Sequence, residues 1–439
     1  MAVRTELWSL SVCPTTPALP AYSGGKLTDD VEDHGGLVRV AGMSIRLAQL
    51  RDRPGRYGAV LAHAKATEGH AECLCADPPR RLVIRNNSRT GLFYLARWPG
   101  DDQHAGGCGF HRLDNSLSGR STYTAAAIQE TVDGISIRLA AALTRNTSNR
   151  RAATTHHDRP AAQADAAPAR RAVGLLGLLH LLLDESGMTV WRRGARYRSW
   201  GVCAAAFRRC AATCRLNSAT PLSEVLYVVP QYTGKQDPNG QSAFDDFLDR
   251  LNSTRSRVPR GLILGEIREI KPAKYSLSYH LAHHPKPVYV TPELDRAARI
   301  SYPVAFAEAG TSAGGHRLAL FLVERMSSGN LRVVDMAVAL TTAHRIPVDS
   351  SLELRMADAL VEHRRGFVKP LRFDAAHDVV LPDFVLTDTQ PHALVEVYGV
   401  RGREAYDQRK AAKQALYQAG DRPVVTWDGV GELPDLALR

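Results

Sequence analysis

Residues 144 to 171 (TRNTSNRRAATTHHDRPAAQADAAPARR) contain no Leu, Ile, Val, Phe or Trp. Such a stretch cannot bury enough apolar surface to offset the entropy lost on ordering it, so it is expected to form a mobile, arginine-bearing linker that divides the chain. The charge follows the same division. Of the formal +11 on 439 residues, almost all sits in residues 137 to 215, which hold 14 basic side chains, every one arginine, against four acidic ones. Residues 1 to 136 hold 15 basic and 14 acidic side chains, and residues 216 to 439 hold 27 of each. A polyanionic partner, nucleic acid above all, is expected to meet that middle segment. The start MAVRTELWSLSVCPTTP lacks the apolar core of a secretory signal, and the longest apolar run, Ala172 to Leu183, contains a histidine and is too short to span a bilayer. A cytoplasmic protein without a membrane segment is expected.

Turn-formers and periodicity give an α+β, multidomain reading around that linker. Residues 1–35 read as an irregular segment and 36–143 as a β-rich domain, with strands over LVRVAGMSIRL, RRLVIRNN and GLFYLARW. Within it, Ile128, Val132, Ile135 and Leu139 recur at helical spacing, which predicts a helix over Ser121 to Arg145. Residues 172–216 read as a winged-helix-like helical module and 217–346 as a β-rich middle domain of six strands, YPVAFAEAG among them. Residues 347–439 alternate helix, strand, strand, helix and strand.

Cys73-Leu74-Cys75 and, 29 residues after Cys75, His104-Ala-Gly-Gly-Cys108 are two short-spaced pairs of metal-ligand residue types on turn-like text. The hairpin expected over 81–97 would bring them together as the four ligands of a structural zinc ion. His70 and His111 are possible substitutes for His104. No His-Glu-x-x-His helix accompanies them, so catalytic zinc is not expected. Cys203, Cys210 and Cys214 share one helical face with Phe207 and read as buried apolar filler.

Arg192, Arg193, Arg196 and Arg198 are interleaved with Trp191, Tyr197 and Trp200, and Arg208 and Arg209 follow on the next expected helix. Guanidinium groups pair with phosphate and aromatic rings stack on bases, so this mixture is expected to contact nucleic acid. The C-terminal hundred residues hold a different pattern. Glu353 opens a helix, at the edge of the apolar arc of Leu352, Met356, Ala359 and Leu360; Asp383 lies in the strand VVLPDFVL; Glu396 lies in the strand ALVEVY. A further helix over Arg403 to Gln418 carries Arg409 and Lys413 inside its apolar arc. Carboxylates on adjacent strands with a nearby cation can hold Mg²⁺ or Mn²⁺ for phosphodiester hydrolysis. The plainer reading is an α/β domain whose carboxylates serve as caps and ion pairs.

Helix-Glu353, Pro382-Asp383-Phe384, Glu396 and then a basic helix resemble the PD-(D/E)xK restriction-endonuclease-like nuclease superfamily over about residues 350 to 428. That resemblance implies Asp383 and Glu396 as magnesium ligands, Glu353 as a third acid and an α/β fold. It departs at Glu396-Val397-Tyr398, where the pattern has Glu-x-Lys, and implies Lys413 as the relocated lysine. The whole chain also resembles an uncharacterised bacterial family, domain of unknown function 1173. That likeness rests on ECLC, on LARWPG with His104 and Cys108, on LLHLLLDESG with Trp191, and on PDFVL with EVYG. No phosphate-binding P-loop, dinucleotide fingerprint or nucleophile elbow is found. The expected function is a DNA-associated, Mg-dependent nuclease with structural zinc; the alternative is a non-catalytic zinc-containing nucleic-acid-binding or assembly protein.

Overall fold

The computed structural model describes residues 36–86, 90–101, 103–112, 127–146, 171–195, 197–232, 234, 238–371, 381–399 and 422–436. The N-terminal segment 1–35, most of the 144–171 stretch and the expected helix with Arg409 and Lys413 lie outside these residues. Among the described residues no helix is long and apolar enough to cross a membrane.

Residues 37–97 form an antiparallel sheet in the order 43–46, 37–40, 71–73, 80–86, 93–97, flanked by the helix Gly58–Thr67. Its first hairpin turns on Ala41 and Gly42, both with positive φ (47° and 74°), the geometry a two-residue hairpin loop needs to match strand twist. Val38, Val40, Leu50, Leu61, Leu82 and Ile84 make a small core separate from the main one.

The helix expected over 121–145 is instead a hairpin, Ile128–Glu130 paired with Ile135–Ile137. Ile135 and Ile137 are buried and Ser136 is not, which is period two. Gly134 explains the misreading. Its φ of 155° and its approach to Thr213, whose carbonyl oxygen would lie 2.2 Å from an added Cβ, suit only a glycine turn. The second strand then pairs in parallel with Cys214–Leu216, across the 144–171 stretch. Arg138 and Val173 are bonded too: the Val173 amide donates to the Arg138 carbonyl at 2.7 Å. The stretch therefore leaves and re-enters one sheeted unit rather than separating two domains, and its first residues, Thr144–Asn146, pair with Arg257–Pro259.

The middle residues close on themselves. Gly261–Pro272 pairs with Leu277–Leu281, which pairs with Val288–Val290, then in parallel with Leu331–Thr341, then with His316–Arg325, which returns to Gly261–Pro272. This is a five-stranded barrel. Its first strand changes partner at a bulge between Ile267 and Glu269, the kind of local bend that lets a sheet curl. Tyr279 and Phe321 meet inside it with ring centres 6.2 Å apart. The helix Pro292–Ser301 joins the third and fourth strands in chain order. YPVAFAEAG, expected as a strand, is two short helices, Pro303–Phe306 and Glu308–Ser312, the first opened by a proline at its N-terminus.

The expected winged-helix-like module is not a separate body. Leu175–Glu185 is buried along almost its whole length, with Leu178, Leu179, Leu181, Leu182 and Leu183 fully inaccessible, and packs on strands His316–Arg325 and Leu331–Thr341. Val190–Trp191 then becomes the edge of the C-terminal sheet, whose order is 190–191, 367–368, 384–386, 394–397, 424–427. Only the last pair is parallel. One core runs from Ala127 to Leu436 through helices, barrel and C-terminal sheet. Leu179→Ala is therefore expected to cost about 2–5 kcal/mol. Urea unfolding followed through Trp191, Trp200 and Trp427 should show the whole transition shifted, rather than an early step confined to residues 172–216.

Candidate functional site

Cys73 ends the strand Ala71–Cys73, Cys75 sits in the following turn, and His104 and Cys108 lie on the loop after the strand Phe93–Arg97. The antiparallel pairing of 71–73, 80–86 and 93–97 brings the two pairs together, as the spacing implies. Cys73 Sγ lies 3.4 Å from Cys108 Sγ, and His104 Nδ1 lies 3.2 Å from Cys75 Sγ and 3.6 Å from Cys108 Sγ. All four ligand atoms fall within 4.8 Å of one another. A tetrahedron with metal–sulfur bonds of 2.3 Å has edges of about 3.8 Å, so the set has the size of a closed four-ligand site. The sulfurs are far beyond disulfide distance. Hydrogen bonds from Cys108 and Cys75 hold the Cys73 thiol well above its ordinary range, while those of Cys108 and Cys73 push Cys75 down. A bound cation would favour the ionised form of all three thiols.

His111 stands behind the cluster, its Nδ1–H donating to the His104 carbonyl at 2.9 Å, and His70 bonds its own turn at Glu68. The loop packs on the C-terminal sheet: an added Cβ at Gly106 would lie 2.6 Å from the Thr387 carbonyl and 2.8 Å from the His392 ring. Cys203, Cys210 and Cys214 are buried in the main core.

The arginines divide. Arg193, Arg208 and Arg209 are exposed. Arg198, expected at a nucleic-acid surface, instead donates to the carbonyls of Met188 (3.0 Å) and Val190 and lies over the Trp191 ring at 5.0 Å. Burial lowers its pKa to about 10. Its role is to hold the segment that carries the edge strand. Arg192 reaches the metal-ligand loop, within 3.1 Å of where a Gly109 Cβ would stand, and Arg196 lies outside the described residues.

The C-terminal carboxylates meet at a cavity of about 340 Å³ lined by Asp349, Glu353, Lys369 and Asp383 on its polar side and by Leu176, Tyr302 and Leu340 among apolar residues. Ser350 caps the helix Ser351–Glu362 by accepting from the Glu353 amide at 3.0 Å, and Glu353 Oε2 reaches back to the Asp349 amide at 3.0 Å. This capping arrangement turns Glu353 inward. Lys369 Nζ lies 2.8 Å from Glu353 Oε2 and 2.9 Å from Asp349 Oδ2. Burial pushes the Glu353 carboxyl up to about 8, with Lys369 opposing and Asp383 and Asp349 adding to the rise. Burial alone would lower Lys369, yet Asp349, Glu353 and Asp383 together hold it well above the lysine range.

Asp383 accepts from the Val397 amide at 2.7 Å, while its own amide donates to the Val395 carbonyl at 3.0 Å, so it brackets Glu396. Glu396 itself is fully buried and is not among the cavity-lining residues. The structure thus gathers Glu353 and Asp383 as the spacing implies, and adds Asp349 and Lys369, which no motif flags. Their one signal is a lysine inside an apolar run, Phe367-Val368-Lys369-Pro370-Leu371. Among the described residues the Cys73 cluster is the only group of three or more potential ligands gathered that tightly.

A family model described as a protein of unknown function (DUF1173) matches residues 48–429. The chain belongs to the DUF1173 family. No curated protein and no solved structure matches it. The metal-ligand loop, the buried helix and the carboxylate cavity of this DUF1173 protein all fall inside the matched range.

Two outcomes follow from the geometry. Plasma mass spectrometry is expected to find stoichiometric metal in wild type and to find it lost in Cys108→Ser. Lys369→Met strands a buried carboxylate and should cost about 3–5 kcal/mol in urea unfolding. Glu353 has a folded pKa above its unfolded one, so its contribution favours folding at low pH and is lost as pH rises through the folded value. Removing the ammonium raises that value further, so the deficit of Lys369→Met should widen from pH 7 to pH 9.

Proposed function

We propose that this DUF1173 protein is a metal-dependent phosphodiesterase acting on DNA, with zinc as a structural ion in its N-terminal unit. The observation that carries the reading is the convergence of Asp383, Glu353, Asp349 and Lys369 on one cavity wall, in a sheet preceded by the helix that supplies Glu353. The strand order 367–368, 384–386, 394–397, 424–427, with a parallel last pair, supports it as well. Three carboxylates around one ammonium leave an acidic, hard-oxygen site, the chemistry that suits Mg²⁺ or Mn²⁺. Asp383 and Glu353 would hold the ion with Asp349 beside them, Glu396 lying off the cavity, and the ion would supply charge neutralisation and an acidified water. Lys369, already among the acids, would meet developing negative charge; Lys413 lies outside the described residues. Three thiols and an imidazole suit zinc, which would fix the loop that packs on Thr387 and His392.

A second reading has its own support. Lys369 neutralises Glu353 directly, and Glu396 stands off the cavity, which is what a non-catalytic nucleic-acid-binding or assembly platform would retain. Incubation with linear, circular and single-stranded DNA plus Mg²⁺ or Mn²⁺ separates the two. Phosphodiesterase activity predicts cleavage that falls at least about a hundredfold in Asp383→Ala. No cleavage of any substrate by wild type would favour the platform, and equal cleavage by wild type and Asp383→Ala would place the chemistry elsewhere.

A further inference from the structure

The outer face of the barrel carries a row of side chains that neither the metal-ligand cluster nor the carboxylate cavity uses. Strand register sets Lys271 opposite Ser278, Ser278 opposite Tyr289, and Tyr289 beside Arg332. Directly paired residues share one face of a sheet, and the adjacent row, Ile270, Tyr279 and Val288, points inward, where Tyr279 meets Phe321. Lys271 and Arg332 are outward, each side chain about half exposed (54% and 46%), with Tyr289 half-buried and Ser278 buried between them.

Both ends of the row are cationic. At one end the turn after the first strand lifts Tyr275, 81% exposed, with Lys274 Nζ 5.0 Å from its ring centre. At the other, one buried carboxylate, Glu324, gathers three guanidinium groups: Arg332, Arg260 at 2.9 Å and Arg145 at 3.3 Å. One negative charge against three leaves two positive charges at that end. Glu269, paired with Lys271 at 2.9 Å, is the other acid in contact with the row.

We infer that this barrel face binds single-stranded nucleic acid, with Lys271, Lys274 and the Glu324-centred arginines meeting phosphates and Tyr275 and Tyr289 stacking on bases. The charge fixes a polyanion. The interleaved tyrosines fix the strand state, because a base offers its face to a side chain only when it is out of the duplex stack. Small five-stranded barrels bind oligonucleotides across such a face. The inference rests on the proposed function only for the class of polymer; binding here needs neither the carboxylate cavity nor a divalent ion.

The test is fluorescence anisotropy of labelled 20-nucleotide oligodeoxythymidylate and of a 20-base-pair duplex, with the full-length, metal-loaded protein and no added Mg²⁺. Wild type should bind the single strand more tightly than the duplex. Tyr275→Ala, at an exposed turn where folding is not at stake, should weaken single-strand binding about tenfold. Lys271→Gln combined with Lys274→Gln should lower the dependence of log K on log salt by about two contacts. Tighter duplex binding, or Tyr275→Ala and the double lysine variant both binding as wild type does, would overturn the inference. Absence of cleavage by wild type with binding retained would count against the phosphodiesterase reading alone.

Discussion

Burial of the helix Leu175–Glu185 is the constraint on which the remaining structure depends. A helix that is apolar on every side has no solvent face and must lie inside. Here it lies against the barrel strands His316–Arg325 and Leu331–Thr341, and Leu176 and His180 at its start form part of the cavity wall. The chain leaving it has one short path outward. Arg198 pins that path by bonding the carbonyls of Met188 and Val190, and Val190–Trp191 then pairs with Phe367–Val368. The next residue in that register is Lys369, whose amide donates to the Thr189 carbonyl at 2.8 Å. Core packing thus fixes the ammonium that the carboxylates surround.

That ammonium also accounts for why so many acids tolerate burial together. An isolated carboxylate in the interior neutralises itself rather than stay charged. Glu353 moves in that direction, while Lys369 keeps its proton because three acids share it. With three carboxylates to one ammonium the site is acidic on balance, which is the basis of the divalent-cation site proposed here. Gly106 leaves room for the metal-ligand loop to lie on Thr387 and His392, so ordering the thiol cluster orders one flank of the C-terminal sheet.

Residues whose meaning depends on local spacing were legible in the sequence. Cys73, Cys75, His104 and Cys108 needed only a hairpin between two short motifs, and Glu353 and Asp383 needed only a helix followed by strands. What depends on distant chain segments was not. Ile128 and Ile135 fit a helical period as well as a hairpin until Thr213 closes on Gly134. Trp191, among arginines, read as a stacking residue but is 2% exposed in a sheet edge supplied by residues nearly two hundred positions away. Lys369 and Asp349 carry no motif; they matter because the capping of one helix and the pairing of one strand aim them at the same point. The charge asymmetry was real in composition, yet its arginines serve several purposes, and the barrel's cationic row lies largely in the part of the chain that is neutral overall.

The central claim is that the carboxylate cavity holds a divalent cation. Electron paramagnetic resonance of Mn²⁺ titrated into the metal-loaded protein tests it without requiring a substrate. The account predicts saturable Mn²⁺ binding in wild type that is lost in Asp383→Asn while the thiol-bound metal is retained. Wild type that leaves Mn²⁺ free in solution, or Asp383→Asn that binds it undiminished, would contradict the claim.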